Sequence, residues 1–418
     1  VLYPFQKTRG QPRVFLYNMK KEDYKMAFVE DTKDWCFSFA PGRIEFLGNH
    51  LDYNGGDVLG MAVNAGIYCL GVPDCENKPP ENTKSKNRFS LFSENFEDAV
   101  WEGKLDNIER QDEKFSWTNY CLGVLKELQE RDLAPSEGFR LIFTSNLPTS
   151  VGLSSSAALE LASALTILQL AGKSLPTKEL ASLCRSAENH FVGLPCGILD
   201  QGTSAFGKKD HLVHIDCKEE IFSNLPIPLD TKVWIFNTGI KHDLVDSLYS
   251  TRHQECMEAL EIGQKSFPEN DRLTKFTDEQ IQSLSLPANL KKRAIHISQE
   301  QKRVSAFRNG LAEGLEPYEL GKLLAESHDS SSLNFENSCS ELDYLSQELN
   351  QQTEVYGARL TGGGFGGAVM AWTSKNFSQT NAHEIVFAYK EKFNETIDWH
   401  QFESSDGARI ENLLEQPG

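Results

Sequence analysis

Residues 35–72 alternate between apolar runs and turn residues, which predicts paired strands, with "NGG" (Asn54 to Gly56) as a tight hairpin turn. "CENKPPENTKSKN" (Cys75 to Asn87) is a polar, proline-bearing loop between strands. "WTNYCLGVLKELQER" has helical apolar spacing, and "EGFRLIFTSNLP" then reads as a strand leaving into a loop. Two helices follow, around Ser155–Leu170 and Lys178–Phe191, ahead of the punctuated segment "GLPCGILDQGTSAFG". "HLVHIDC" and "KVWIFNTG" are strand-like, and the polar link between them divides the chain into residues 1–220 and 221–418. The remainder is largely helical until "GARLTGGGFGGAVMAW", a strand, a glycine-rich turn and another strand. The C-terminal tail can return to the first unit.

A length of 418 residues agrees with two domains rather than one core. The net charge of −18 argues against a nucleic-acid or anionic-membrane partner, although a small basic pocket for an anionic substrate can sit in an acidic protein. Nine cysteines without zinc or redox spacing predict buried, reduced thiols. The first twenty residues lack the apolar core of a secretory signal, and no apolar run approaches membrane-spanning length. A cytoplasmic protein, a monomer or weak homo-oligomer, is the expectation.

Chemistry concentrates in a few segments. In Ala157, Leu161, Ala164, Leu165 and Leu168 the apolar positions share one helical face, so this helix docks on a core. Its entrance is "GLSSS". One serine is enough to cap the helix; three, preceded by Gly152 and "PTS", suit an oxyanion, phosphate above all. An ordinary capped helix is the alternative, and without a Walker lysine this is not a P-loop. Glu188 lies at the edge of a buried stripe and is either a solvated rim residue or a ligand facing a cleft. Asp200, after "PCGIL", is either a turn residue or a partly desolvated base beside a substrate hydroxyl. "APGRIEFLGNHLDYNGG" packs Arg43, Glu45, Asn49, His50 and Asp52 into ten residues, a donor- and acceptor-rich loop fit for a polyhydroxylated ligand.

Together and in this order, "APGRIEFLGNHLDYNGG", "PTSVGLSSSAALE" and "YGARLTGGGFGGAVMA" resemble the galactokinase branch of the GHMP kinases, from about residue 35 to 375. The resemblance implies an α+β, two-domain GHMP kinase fold. Its N-terminal domain would be ribosomal-protein-like, its C-terminal domain ferredoxin-like, and the site would lie in the cleft between them. It implies phosphoryl transfer from ATP to the anomeric hydroxyl of galactose. Ser150, Val151, Gly152, Leu153, Ser154, Ser155 and Ser156 would wrap the phosphates, and Ser156 with Glu188 would hold Mg²⁺. Asp200 and Arg43 would be catalytic, and Asn49, His50, Leu51, Asp52, Gly197 and Tyr249 would join them around the sugar. The glycines from Gly362 to Gly367 would close over the site.

The chain departs from the branch at Asn49, usually glutamate, and at Glu45 and Leu51, usually asparagine and threonine. Loss of an acid at position 49 lessens repulsion of a 6-carboxylate, so galacturonate stands as an alternative acceptor, and the resemblance leaves N-acetylgalactosamine as another. A non-catalytic sugar and nucleotide sensor is the alternative of another class. The intact "GLSSSAA", Asp200, Arg43 and Glu188 favour catalysis over it. The sugar loop and "CGILDQ" speak against a mevalonate- or homoserine-type kinase.

Overall fold

The computed structural model describes residues 35–73, 87–95, 100–148, 152–241 and 245–411. Ser150 and Val151, most of the proline-bearing loop after Cys75, and the first twenty residues lie outside these.

Two sheets organise the chain. The first holds eight strands: β1 (Cys36–Leu47), β2 (Asp57–Pro73), β3 (Arg88–Ser93), β4 (Trp101–Lys104), β5 (Phe139–Ser145), β6 (His211–Asp216), β7 (Ile221–Pro226) and the C-terminal β12 (Arg409–Ile410). Their main path runs β12-β1-β2-β5-β3-β4, with β6 on the far end of β2 and β7 on β6. Among the described strands of this sheet, only β3 and β5 run parallel. The second sheet, in the order β11-β8-β10-β9, is antiparallel: β8 (Thr231–Lys241), β9 (Val355–Thr361), β10 (Gly366–Ser374) and β11 (Asp398–Phe402). The polar link read as a loop therefore contains strand β7. Its sequence is half exposed because it sits at a sheet edge with one neighbour, which hides its period from a hydrophobicity reading.

The helices are α1 (Thr118–Gln129), α2 (Ser155–Leu170), α3 (Thr177–Ala187), α4 (Leu199–Phe206), α5 (Val245–Ser266), α6 (Asp278–Ser283), α7 (Ala288–Glu313), α8 (Pro317–Ser330), α9 (Ser340–Asn350) and α10 (Gln379–Phe393). Helix α2 is buried almost all round, because it lies between the β1–β2 hairpin and helices α1, α3 and α4. The single apolar face expected of it understates this. Alanine at 157, 158, 162 and 164 lets neighbours approach closely, and Glu160 and Ser163 are enclosed with them.

The second sheet buries both faces by strict alternation along β8. Trp234 and Phe236 meet α9 and α10, while Val233 and Ile235 join the larger core that reaches the first sheet. Phe46 of β1 touches Phe307 of α7 and Trp372 of β10 with ring centroids 5.4 and 5.7 Å apart. This apolar contact seats one sheet's hairpin against the other's. No helix among the described residues is long and apolar enough to cross a membrane. Cys69, Cys121, Cys184, Cys217 and Cys256 are buried thiols.

Candidate functional site

Strand β1 delivers Arg43 and Glu45, and the connection between β1 and β2 delivers Asn49, His50 and Asp52. That connection spans residues 48–56 and is closed by Gly56 N–H donating to Leu51 O at 2.9 Å and Gly55 N–H donating to Asp52 O at 3.4 Å. "NGG" thus ends a longer loop rather than forming a two-residue hairpin turn. Gly55 takes φ 65°, the left-handed backbone such a closure needs.

Arg43 is buried and grips Asp200 with a two-pronged contact: Nε donates to Oδ1 at 2.7 Å and Nη2 to Oδ2 at 2.8 Å. Burial opposes the Arg43 charge, but Asp200, with Glu45 and Asp52 behind it, holds the guanidinium above its ordinary range. Asp200 lies in the first turn of α4, reached through Gly197. A Cβ at Gly197 would stand 2.3 Å from Asp52 Oδ2, so only glycine lets the Asp52 carboxylate lie against that turn. Burial, then the charges of Asp200 and Glu45, raise Asp52 to about 7. The Tyr249 ring lies over His50 at 5.2 Å between centroids, and its phenol is pushed well up by burial, then by Asp52 and Asp200. A cleft of about 450 Å³ opens beside Asp52 and Gly197, walled also by Asn189, Cys196, Lys218 and Arg272.

His50 and Asn49 are enclosed rather than open to that cleft. His50 stacks on Phe335 at 4.3 Å, and burial, then the neighbouring His296, lowers it to about 3, so it is neutral. Its Nδ1 meets Tyr53 Oη at 3.0 Å, and its Nε2 lies 3.2 Å from Gly363 O and 3.1 Å from the Asn337 amide nitrogen. Asn49 is 1% exposed and its side chain is fully engaged. Nδ2 donates to Glu45 Oε1 and to Gly362 O, both at 2.9 Å, while Oδ1 accepts from Asn337 Nδ2 at 2.9 Å and Ser331 Oγ at 3.3 Å. Leu51 is wholly buried in the core. Glu45, the residue four before Asn49, is paired with the fully buried Arg359 of β9 at 3.1 Å.

On the other flank of Asp200, α3 ends at Ala187 and the chain continues as a π-turn over Glu188–Val192, where a single helix to Phe191 is expected from the spacing. Such wide turns recur at functional sites because they re-aim side chains. This one turns Glu188 inward, where Oε2 accepts from Gln201 Nε2 at 2.6 Å and Cys196 Sγ at 3.4 Å. The Ser156 hydroxyl stands near the Glu188 carboxyl, which burial and then Asp200 raise above the usual carboxylate range. Ser156, Glu188 and Asp200 therefore share one enclosed region. Ser154, at the N-cap position of α2, makes no cap bond; its hydroxyl donates to Asp200 Oδ2. Gly152 meets the glycine turn: a Cβ there would lie 3.7 Å from Thr361 O. Gly364 is needed for protein packing rather than ligand clearance, since its Cβ would fall 2.2 Å from Asn337 O.

The residues the sequence reading missed are those that hold this arrangement: Gln201, Ser331, Phe335, Asn337 and Arg359. The polar run "SSSLNFENS" carried a signal for two of them, Ser331 and Asn337, because so many hydroxyls and amides beside a helix end need internal partners. The second π-turn, Ser331–Phe335, brings Ser331 to Asn49 and Phe335 to His50.

Comparison with known proteins agrees with this architecture. Residues 22–73 match the galactokinase galactose-binding signature, 119–208 the GHMP kinases N terminal domain and 311–395 the GHMP kinases C terminal domain. A galactokinase of Thermotoga neapolitana is 38% identical over 373 residues, covering 88% of this chain and 98% of the relative. One from Mannheimia succiniciproducens is 36% identical, covering 80% and 84%. The crystal structure of Lactococcus lactis galactokinase complexed with galactose superposes with a TM-score of 0.85 at 30% identity, covering 93% of this chain and 98% of that one. Methanococcus jannaschii mevalonate kinase, at 16% identity and a TM-score of 0.60, shares the fold. The two sheets, the serine-led helix and the β1–β2 loop are thus the frame of one family, and this chain belongs to it: it is a member of the galactokinase family of GHMP kinases.

Proposed function

We propose that this chain transfers the γ-phosphoryl group of ATP to the anomeric hydroxyl of galactose, giving galactose 1-phosphate and ADP. The observation that carries the reading is the Arg43–Asp200 pair, set between the serine-led helix on one side and Asp52, Gly197 and Tyr249 on the other. Phosphoryl transfer asks for alignment and charge neutralisation more than covalent help. The first-turn amides of α2 are left without a side-chain cap, which suits an anionic phosphate. Arg43 offsets charge beside Asp200, and Asp200 orients the acceptor hydroxyl.

Ser156 and Glu188 form a hard-oxygen pair that fits Mg²⁺. One hydroxyl and one carboxylate suffice for a nucleotide-borne ion, and a cation there would offset the burial and the Asp200 charge that raise the Glu188 carboxyl. Bound there, Mg²⁺ would neutralise phosphate charge. Gln201 keeps the Glu188 carboxylate turned toward Ser156, and its enclosure excludes water. Asp52 of the sugar loop and Gly197 before α4 border the open cleft, and direct sugar contacts are assigned to them together with Asp200 and Tyr249. Asn49 and His50 brace the loop.

The test is galactose-dependent ADP release. Asp200→Asn is expected to abolish it while leaving nucleotide binding largely intact, and near-normal turnover would remove Asp200 from this role. Initial rates across galactose, galacturonate, N-acetylgalactosamine, glucose and arabinose are expected to rank galactose first. A higher kcat/KM for galacturonate would overturn the assignment of the acceptor.

A further inference from the structure

Three consecutive residues at the entrance of α2 bond to the Arg43–Asp200 pair. Arg43 Nη1 donates to Gly152 O at 2.6 Å, the Arg43 backbone N–H donates to Leu153 O at 3.0 Å, and the Ser154 hydroxyl donates to Asp200 Oδ2. Ser154 holds φ 50° and ψ 60°, a left-handed backbone that glycine takes without penalty and other residues adopt at a cost of roughly 1 kcal/mol. A serine retained only to begin the helix would spend its hydroxyl on a first-turn N–H. This one spends it on the acid.

We propose that Ser154 is a positioning residue for the acceptor side of the reaction, linking the nucleotide's hold on the loop to the orientation of Asp200, so that nucleotide and sugar reinforce each other's binding. The inference rests on the reading of Asp200 as the group facing the acceptor hydroxyl. A carboxylate offers about four lone-pair directions. Arg43 Nε takes one on Oδ1, and Arg43 Nη2 and the Ser154 hydroxyl take both on Oδ2. The remaining direction, on Oδ1, is where a sugar hydroxyl can donate. Without the Ser154 hydroxyl a second direction opens on Oδ2, and the carboxylate can rock on its Arg43 fork. A loop steadied by phosphate contacts steadies Ser154, and through it Asp200. Such coupling is reciprocal for binding.

Calorimetric titration of galactose with and without ADP, and of ADP with and without galactose, tests this in the unmodified chain, Ser154→Ala and Ser154→Gly. The unmodified chain is expected to show each ligand tightening the other by one common factor. In both variants galactose alone should bind about tenfold more weakly, as expected for loss of a hydrogen bond to a charged group. ADP alone should bind within twofold of normal, the coupling factor should fall toward one, and the KM for galactose should rise while that for ATP holds. Loss of ADP affinity with galactose unaffected would overturn the proposal, since the hydroxyl would then serve the phosphates. Recovery of normal behaviour in Ser154→Gly but not Ser154→Ala would do the same, by showing that only the backbone matters. So would an unchanged coupling factor in the variants, or none in the unmodified chain. Asp200→Asn measured alongside separates the two readings. If it turns over, the role of Asp200 fails; if it is inactive while the Ser154 variants couple normally, only the present inference fails.

Discussion

Replacing Asn49 by aspartate changes one NH₂ to an oxygen inside a site with no spare volume, and its cost follows from the partners. The Asn49 amide group donates to Glu45 Oε1 and to Gly362 O, each at 2.9 Å. An aspartate carboxylate would put an acceptor against both. Two carboxylates at this separation cannot both ionise, so the pair keeps one proton that the unfolded chain would release above pH 4. The introduced carboxyl, once protonated, can still donate to Glu45, but the bond to Gly362 is lost. Holding a proton at pH 7 against an ordinary carboxylate pKa near 3.9 costs about 4 kcal/mol, at 1.36 kcal/mol per unit. The lost bond adds about 1 kcal/mol.

The sign of the pH dependence is fixed by the same reasoning. A carboxyl with a raised folded pKa binds more protons folded than unfolded, so the variant keeps its stability below about pH 4 and loses it as pH rises. Urea unfolding at pH 5, 6 and 7 should show Asn49→Asp falling behind the unmodified chain by roughly 1.4 kcal/mol per pH unit. Asn49→Ala adds no acid, so its deficit should vary with pH only through the loss of the amide bond that holds Glu45 down, a shallower slope than that of Asn49→Asp. Glu45→Gln combined with Asn49→Asp restores a single charge, and its pH slope should vanish. A pH-independent deficit in Asn49→Asp, or one under about 1 kcal/mol at pH 7, would refute the enclosed geometry and put Asn49 back among the groups open to ligand.

Gly197→Ala is expected to raise the KM for galactose at least about tenfold with the KM for ATP unmoved, because its Cβ would land 2.3 Å from Asp52 Oδ2; steady-state kinetics in both substrates would check it. Sugar hydroxyls donating to Asp52 favour its ionised form, and the carboxyl stands raised to about 7, so galactose affinity should increase from pH 6 to 8. Asp52→Asn should flatten that profile in a direct binding assay. Glu188→Gln should raise the Mg²⁺ concentration for half-maximal rate about tenfold while galactose binding alone is unchanged, as read by titrating the metal at saturating ATP.

Where each part of this organisation was visible depends on how local its cause is. Helix α2 could be read to its bounds, Ser155–Leu170, because a glycine-serine entrance and an unbroken alanine-leucine run are local signals. The same run could not tell that the helix is enclosed almost all round, since alanine is neutral about exposure. Strand β7 was hidden by its exposed edge position, and both π-turns by the fact that one extra residue per turn leaves apolar spacing nearly intact. Arg43, Asp52 and Asp200 were legible as site candidates from motif chemistry, and Gly197 only through the family resemblance. Asn49 was legible as unusual but not as enclosed, because its partners Ser331, Asn337 and Gly362 stand 282, 288 and 313 residues away in sequence. Periodicity carries no information over such distances.

That separation is also the reason the exchange of acid and amide at positions 45 and 49 is coherent. Either position can hold the acid only if the other supplies donors and a cation stands within reach. Arg359, arriving from the second sheet with both terminal nitrogens on Glu45 Oε1 at 3.1 Å, selects position 45. The amide at 49 is then free to donate to Glu45 and to the glycine turn while accepting from Asn337 and Ser331. A pair of residues one helical turn apart in number, but on a strand end and a loop, thereby ties the first sheet to three separate segments of the second half of the chain. Breaking either member leaves a buried group unpaired, at a cost of a few kcal/mol. The acid at position 45 is therefore a property of the contact between the two sheets, and its charge also reaches Arg43 and Asp52 beside Asp200.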